Sequence, residues 1–358
     1  MTPQISIILN TARSGLSMPG FFNIHHFKFT IDALARQTFK NFELIISDYI
    51  HDKRHFDWSC FNRDLGFPIY HVPITHSIYK DKGYCAICAT KNNGIMYASG
   101  DYIISLDDCC TFESHYVQKV LEAWMQHGYF VNALHVKEFG STNYRDSNGN
   151  PIRDCRYQIL DAHKTDILIN NFNLYGYSSF SLEAALKLGG FNEMFDGSRQ
   201  LEDIEFGERL KLAGYRIALN RNIFVCEQEH TKIASDPGNY HGQYPEWWMK
   251  EDDVKFEPNL RCNGPIFYIL RERKPQDWIV ANKHGFYDHE KKKIDPCFML
   301  EGRICKSSGV ECNWINQDGS SLQMKHPDAN LLFTSSPIFD LSKMRDEKLQ
   351  IKETYRVR

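Results

Sequence analysis

The chain has 358 residues, 42% of them hydrophobic and 24% charged, which is enough for a substantial core in one large domain with an appendage or in two domains. A formal net charge of -3 gives no global electrostatic reason to expect a nucleic-acid partner. No apolar run approaches the length of a membrane-spanning helix, and the 11 cysteines form no regular disulfide framework.

Ile5–Leu9 (ISIIL) reads as a short apolar strand, followed by a polar loop over Asn10–Gly15. Ile24, Phe27, Ile31, Leu34 and Ala35 recur at helical spacing and predict a helix over about 23–37. Phe42–Ser47 (FELIIS) is a second strand that ends at Asp48, and Pro68–Val72 is a third. Gly83–Ala98 reads as a helix, with Gly100 as its stop signal. The central strand follows: Tyr102, Ile103, Ile104 and Leu106 make an apolar run closed by Asp107 and Asp108. A helix over about Ser114–His127 comes next. This alternation predicts βαβ units and a parallel sheet. In the first, second and central strands the polar change falls at the C-terminal end. Asn10–Thr11, Asp48 and Asp107–Asp108 are therefore expected to converge on one sheet edge, where open α/β sheets bind ligands. Neither a G-x-G-x-x-G fingerprint nor a G-x-x-x-x-G-K-[ST] loop is present.

Gly140–Pro151 is turn-rich. Leu201–Ala213 has helical spacing with Gly214 as its C-terminal cap, and its first turn carries Glu202, Asp203 and Glu205. Acids there complement the helix macrodipole, worth a few tenths to about 1 kcal/mol each. Cys85 and Cys88 form a C-x2-C pair inside a helix, with no second pair to complete a zinc site. Trp247–Trp248 offer either packing or a stacking surface for a sugar ring. Beyond about residue 255 the chain has its own strands, at Pro265–Leu270 and Cys297–Cys305, and a mixed-charge tail. We expect residues 1–255 to form one domain and 256–358 a C-terminal extension.

Four stretches carry a resemblance to a known family: ISIILNTAR, LARQTFKNFELIISD, TKNNGIMYASGDYIISLDD and GGFNEMFDGSRQLEDIEFGERLKLAGYRI. In this order they resemble the family 2 glycosyltransferases with the GT-A fold. The resemblance implies an α/β fold with a mixed, mostly parallel central sheet flanked by helices. It implies a nucleotide-sugar donor, with a UDP-sugar favoured, and a glycan or glycoconjugate hydroxyl as acceptor. Thr11, Asp48, Lys91, Asn92 and Asp107 would then bind the donor, Asp48 through the nucleobase N–H. Asp203 would be the general base and Glu202 would hold an acceptor hydroxyl or serve the helix dipole. A divalent cation, Mn2+ or Mg2+, would sit at Asp107/Asp108, with His230 (in CEQEH) as a second metal ligand.

The chain departs from the family in one place. Where an Asp-x-Asp pattern places its second acid, this chain has Cys109. Asp108 is then the expected ligand, with Cys109 as a soft donor that suits Mg2+ poorly. The departure also leaves a second reading, a catalytically impaired module that binds nucleotide sugars or glycans. Direct attack opposite the leaving group would invert configuration, and retention stays open. The opening MTPQISIILNTARSG runs straight into a strand and a loop, so a cytoplasmic setting with reduced cysteines is expected, with peripheral membrane attachment left open.

Overall fold

The computed structural model describes residues 3–11, 26–53, 58–61, 64–74, 86–108, 110–128, 130–139, 166–168, 178–191, 193, 196, 202–229, 341–357 and five short stretches between 287 and 325. Four runs rich in β-branched and aromatic residues form its central strands: β1 (Ile5–Thr11), β2 (Phe42–Asp48), β3 (Ile69–Pro73) and β4 (Tyr102–Asp107). β1 and β2 are buried along their whole length, which is why they read as continuous apolar runs rather than alternating ones. The sheet order is β3-β2-β1-β4-β8, with β8 (Ser179–Ser181) antiparallel to β4 and the other pairs parallel. This is the mixed, mostly parallel sheet expected.

Between these strands lie α1 (His26–Ala35), α2 (Ile87–Tyr97) and α3 (Tyr116–His127), each inside its predicted span. α4 (Leu182–Lys187) follows β8, and α5 (Glu202–Leu212) matches the acid-led helix, ending before Gly214 at φ +89. After β4 the chain passes almost at once into a second sheet, β5-β9-β6, formed by β5 (Cys110–Phe112), β9 (Ile217–Glu229) and β6 (Phe130–Phe139), with β7 (Asp166–Leu168) paired to β9. Asp107 and Asp108 thus stand at the junction of two sheets. A hairpin, β10 (Tyr287–Asp288) with β11 (Lys293–Ile294), and a three-stranded antiparallel sheet, β12 (Cys305–Lys306), β13 (Glu311–Ile315) and β14 (Ser321–Lys325), account for the later strands.

α2 is buried from Cys88 through Tyr97 because it is packed on two sides. On the sheet side, a Cβ at Gly94 would come within 2.3 Å of Ile8 Cγ2, so only glycine permits this approach. On the other side stands α6 (Leu341–Ile351), whose Arg345 Nη2 donates to the Ala98 carbonyl at 2.8 Å. The chain then turns toward β3. Lys352 Nζ donates to Glu43 Oε2 at 2.5 Å and to Ser99 Oγ at 2.6 Å, Tyr70 donates to Glu353 at 2.7 Å, and the Val357 N–H reaches the Ile69 carbonyl at 2.9 Å. Residues 341–357 therefore pack on the first sheet, while the boundary expected near 255 falls outside the described residues.

One expectation is corrected here. Gly100 does not stop α2, which ends at Tyr97. A Cβ at Gly100 would lie 2.6 Å from the Ile5 carbonyl carbon and 2.7 Å from the Ser6 nitrogen, so the glycine serves a close crossing of two backbones.

Candidate active site

The strand register brings the expected residues to one edge. In the parallel pairs, Thr11 stands opposite Asp48 and Asn10 opposite Asp107. β2 and β3 lie on one side of β1 and β4 on the other, so the edge of β1 is a topological switch point. Thr11 Oγ1 donates to Asp108 Oδ2 at 2.7 Å across it, with both residues buried. Asp48 is fully buried; its Oδ1 accepts from the Ile50 N–H at 3.0 Å and its Oδ2 lies 2.8 Å from His71 Nε2. His71, on β3, sits against the rings of His51 at 4.4 Å and Trp58 at 5.3 Å. Sequence reasoning passed over His71, although a histidine within the apolar run IYHVP was the signal for it.

The pleat divides this edge into two faces, since successive residues of a strand point to opposite sides. Thr11, Asp48 and Asp108 share one face. Asn10, Ser47 and Asp107 share the other, the one toward α2, as Ser47 shows: its hydroxyl donates to the Thr90 carbonyl at 2.8 Å and accepts from Asn93 Nδ2 at 3.1 Å. The adjacent acids Asp107 and Asp108 thus serve different surroundings.

On the α2 face, Lys91 is 4% exposed, with Nζ 3.4 Å from Glu202 Oε1 and 4.8 Å from the centre of the Phe191 ring. Burial alone would lower its pKa, but the carboxylates of Glu202, Asp203 and Asp107 outweigh that and hold it above the ordinary lysine value. Lys91 is therefore a stable cation that links the end of β4 to the start of α5. α5 is seated by Phe206, which packs on Phe180 of β8 at 5.2 Å and on Phe191 at 4.5 Å. That packing places Glu202, buried, and Asp203, partly exposed, at the site.

Asn92 is turned away from the open edge. Its Nδ2 donates to the Phe191 carbonyl at 2.8 Å and to Glu193 Oε1 at 2.9 Å, and its Oδ1 accepts from the Phe191 N–H at 2.7 Å. It fastens the turn before α5 instead of standing with the donor-side residues. Asp196 caps α2 from a distance, accepting from the Cys88 N–H at 2.7 Å and the Ala89 N–H at 3.0 Å. Burial pushes Asp196 up to about 8, against the downward pull of those two N–H groups, and pushes Glu193 well above the usual carboxylate range. The Cys88 thiol is likewise raised, first by burial and then by Asp196 and Glu202. Glu205, read from the sequence as a dipole-complementing acid, has another task. It holds Arg209 by paired bonds of 2.7 and 2.8 Å, and Arg209 also donates to the carbonyls of Leu188 and Gly190.

Cys109, His230, Trp247, Trp248 and Cys85 lie outside the described residues. Asp107 and Asp108 offer hard oxygen donors of the kind Mg2+ and Mn2+ take, so the donor chemistry fits a divalent cation. Among the described residues, no group of three or more His, Cys, Asp or Glu comes together as a metal site. No helix among them is long and apolar enough to cross a membrane.

Comparison with known proteins gives one family. Residues 73–182 match the family described as "Glycosyl transferase family 2". The matched span holds Lys91, Asn92, Asp107 and Asp108, and excludes Thr11, Asp48, Glu202 and Asp203. No curated protein matches the chain. Among solved structures, GalNAc-T7 with UDP, GalNAc and Mn2+ is 12% identical with a TM-score of 0.46, covering 68% of this chain and 47% of that one. S. aureus TarS 1-349 with UDP is 12% identical with a TM-score of 0.45, covering 63% and 60% respectively. The same TarS fragment with UDP-GlcNAc is 12% identical with a TM-score of 0.44, covering 65% and 61%. The chain thus overlaps about half to three fifths of these proteins' length. The stretch from Pro73 to Leu182, with Lys91 and the acids that end β4, is thus similar to the family 2 glycosyl transferases, and of the four sequence blocks it contains TKNNGIMYASGDYIISLDD.

Proposed function

We propose that the protein is a glycosyltransferase that moves a sugar from a nucleotide-diphosphate donor, a UDP-sugar in the first instance, to a hydroxyl of a glycan or other acceptor. The observation that carries this reading is the position of Lys91: it lies within the matched segment and is surrounded by Asp107 from β4 and by Glu202 and Asp203 from α5. A site of this kind supplies what the reaction needs. Thr11 and Asp48 lie on the face assigned to the nucleobase. Asp48, which accepts from the Ile50 N–H and lies against His71, would meet the nucleobase N–H through its carboxylate.

Asp203 is the general base in this reading. It takes the proton of the acceptor hydroxyl as that oxygen attacks the anomeric carbon, and direct attack opposite the leaving group inverts the configuration. Lys91 and Glu202 fix the place of Asp203 at the helix start and set the charge around it. Asp108, with His230, would hold Mn2+ or Mg2+ while Asp107 meets the donor, and a bound cation would neutralise the charge that grows on the departing diphosphate. The region from 256 to 340 is assigned to acceptor choice or to an oligomer contact, since 341–357 pack on the first sheet.

The test is Asp203→Asn. Transfer from a UDP-sugar should fall by about 100- to 10,000-fold, the usual range for loss of a positioned base, while nucleotide binding by calorimetry stays within about threefold of wild type. Wild-type turnover in that variant would remove Asp203 as the base.

A further inference from the structure

Asn10 is 9% exposed, and neither its Nδ2 nor its Oδ1 has a hydrogen-bond partner among the described residues. Burying an amide in this way costs free energy with no return unless something bonds to it. Asn93 Oδ1 and Arg345 Nε, also without partners among the described residues, belong to α2 and α6. Asn10 stands instead at the switch-point edge, in register with Asp107 on one side and Ser47 on the other, on the face toward α2.

The surroundings narrow what can bond to it. Among the described residues the amide has neither an acceptor for its N–H groups nor a donor for its carbonyl, so a ligand that partners it must offer both. A phosphate offers acceptors only. Among the described residues the same face also holds Asp107, Glu202 and Asp203 about Lys91, whose charge they already draw on. The N-terminus of α2, the other natural anion seat nearby, is already occupied by the Asp196 carboxylate. Sugar hydroxyls meet every condition, since each hydroxyl both donates and accepts.

We propose that Asn10 is a specificity-determining residue that reads a pair of hydroxyls on the nucleotide-sugar donor, its carbonyl accepting from one and its NH2 donating to the other. The proposal rests on the glycosyltransferase reading above. The hydroxyls belong either to the ribose or to the transferred sugar, and the experiment separates these sources.

Affinities of wild type, Asn10→Ala and Asn10→Ser for UDP, 2′,3′-dideoxy-UDP, UDP-glucose and UDP-GlcNAc are measured by calorimetry, with unliganded melting temperatures in parallel. The unliganded variants should melt no lower than wild type, because the amide they lose has no partner among the described residues to give up. Their affinity for UDP-sugars should fall about tenfold, with serine losing less than alanine. Equal losses for UDP and UDP-sugars, with none for dideoxy-UDP, assign the ribose hydroxyls. A loss confined to UDP-sugars assigns the transferred sugar. Unchanged affinities, or an equal loss for dideoxy-UDP, overturn the proposal. A wild type that binds none of the four ligands removes the UDP-donor reading itself, which is a separate outcome from variants that bind as well as wild type.

Discussion

α5 takes part in two buried cation–carboxylate pairs, and they are built differently. Arg209 meets Glu205 through two bonds of 2.7 and 2.8 Å, and its other N–H groups close on the Leu188 and Gly190 carbonyls at 2.8 and 2.7 Å. Both side chains have no exposure at all. Lys91 reaches Glu202 through a single contact of 3.4 Å, with Asp107 and Asp203 also drawing on its charge. The first pair is saturated, so it holds the turn before α5 and has little left for a ligand. The second is loosely made and shared among three acids, an arrangement that a substrate can re-pair without breaking the fold. The difference suggests how structural and functional ion pairs can be told apart here: by how completely each charge is used, since burial alone does not separate them.

The largest effect that would break this contrast is expected at Arg209. Arg209→Ala removes the buried cation that faces Glu205 and a donor to each of the Leu188 and Gly190 carbonyls, and should cost about 3–5 kcal/mol in chemical denaturation. Arg209→Lys should recover only part, because an ammonium cannot reproduce the fork. A cost under about 1 kcal/mol for the alanine variant would mean that the pair does not hold the turn. At Lys91 the expected effect is smaller and differently distributed. Lys91→Gln keeps a donor but loses the charge, which is worth about 1.5–3 kcal/mol in a charge-assisted bond. It should weaken UDP-sugar binding by about tenfold or more, with a smaller shift in the denaturation midpoint. Equal losses of stability at Lys91 and Arg209, with binding intact, would erase the distinction.

The smallest effect concerns pH. Asp196 titrates in the fold at about 8, above the ordinary Asp value of 3.8. The folded state therefore binds more protons than the unfolded chain between those values, and stability must fall as pH rises through them. The melting temperature should decline from about pH 4 to about pH 8, and Asp196→Asn should flatten that slope. Glu193 shares the transition, so the slope belongs to the pair. A slope unchanged in Asp196→Asn would assign it to other groups.

How much of this could be read beforehand differs by residue. The strand ends were legible: apolar runs closed by Thr11, Asp48 and Asp107 predicted a shared edge, and the register bears that out. The tasks of Glu205 and Asn92 were not. A first-turn acid looks the same in sequence whether it serves a helix dipole or an arginine one turn on, and only the buried turn at Leu188–Gly190 decides. His71 was missed because a lone histidine in a short strand has no local partner; its partner, Asp48, comes from the neighbouring strand. Gly100 was misread because its constraint comes from Ile5, far away in the chain.

The sequence by itself determined the elements and their polarity. Periods of side-chain character within about ten residues are local, so they survive in a one-dimensional reading, and with them came the parallel sheet and the acids at its edge. Only the tertiary structure decided which acid meets which partner. Strand pleating sent Asp107 and Asp108 to different faces, packing of Phe206 brought Asp203 toward Lys91, and the order β3-β2-β1-β4 left Asn10 buried with its amide unanswered. Such pairings depend on contacts between residues far apart in the chain, and spacing along the sequence carries no record of them.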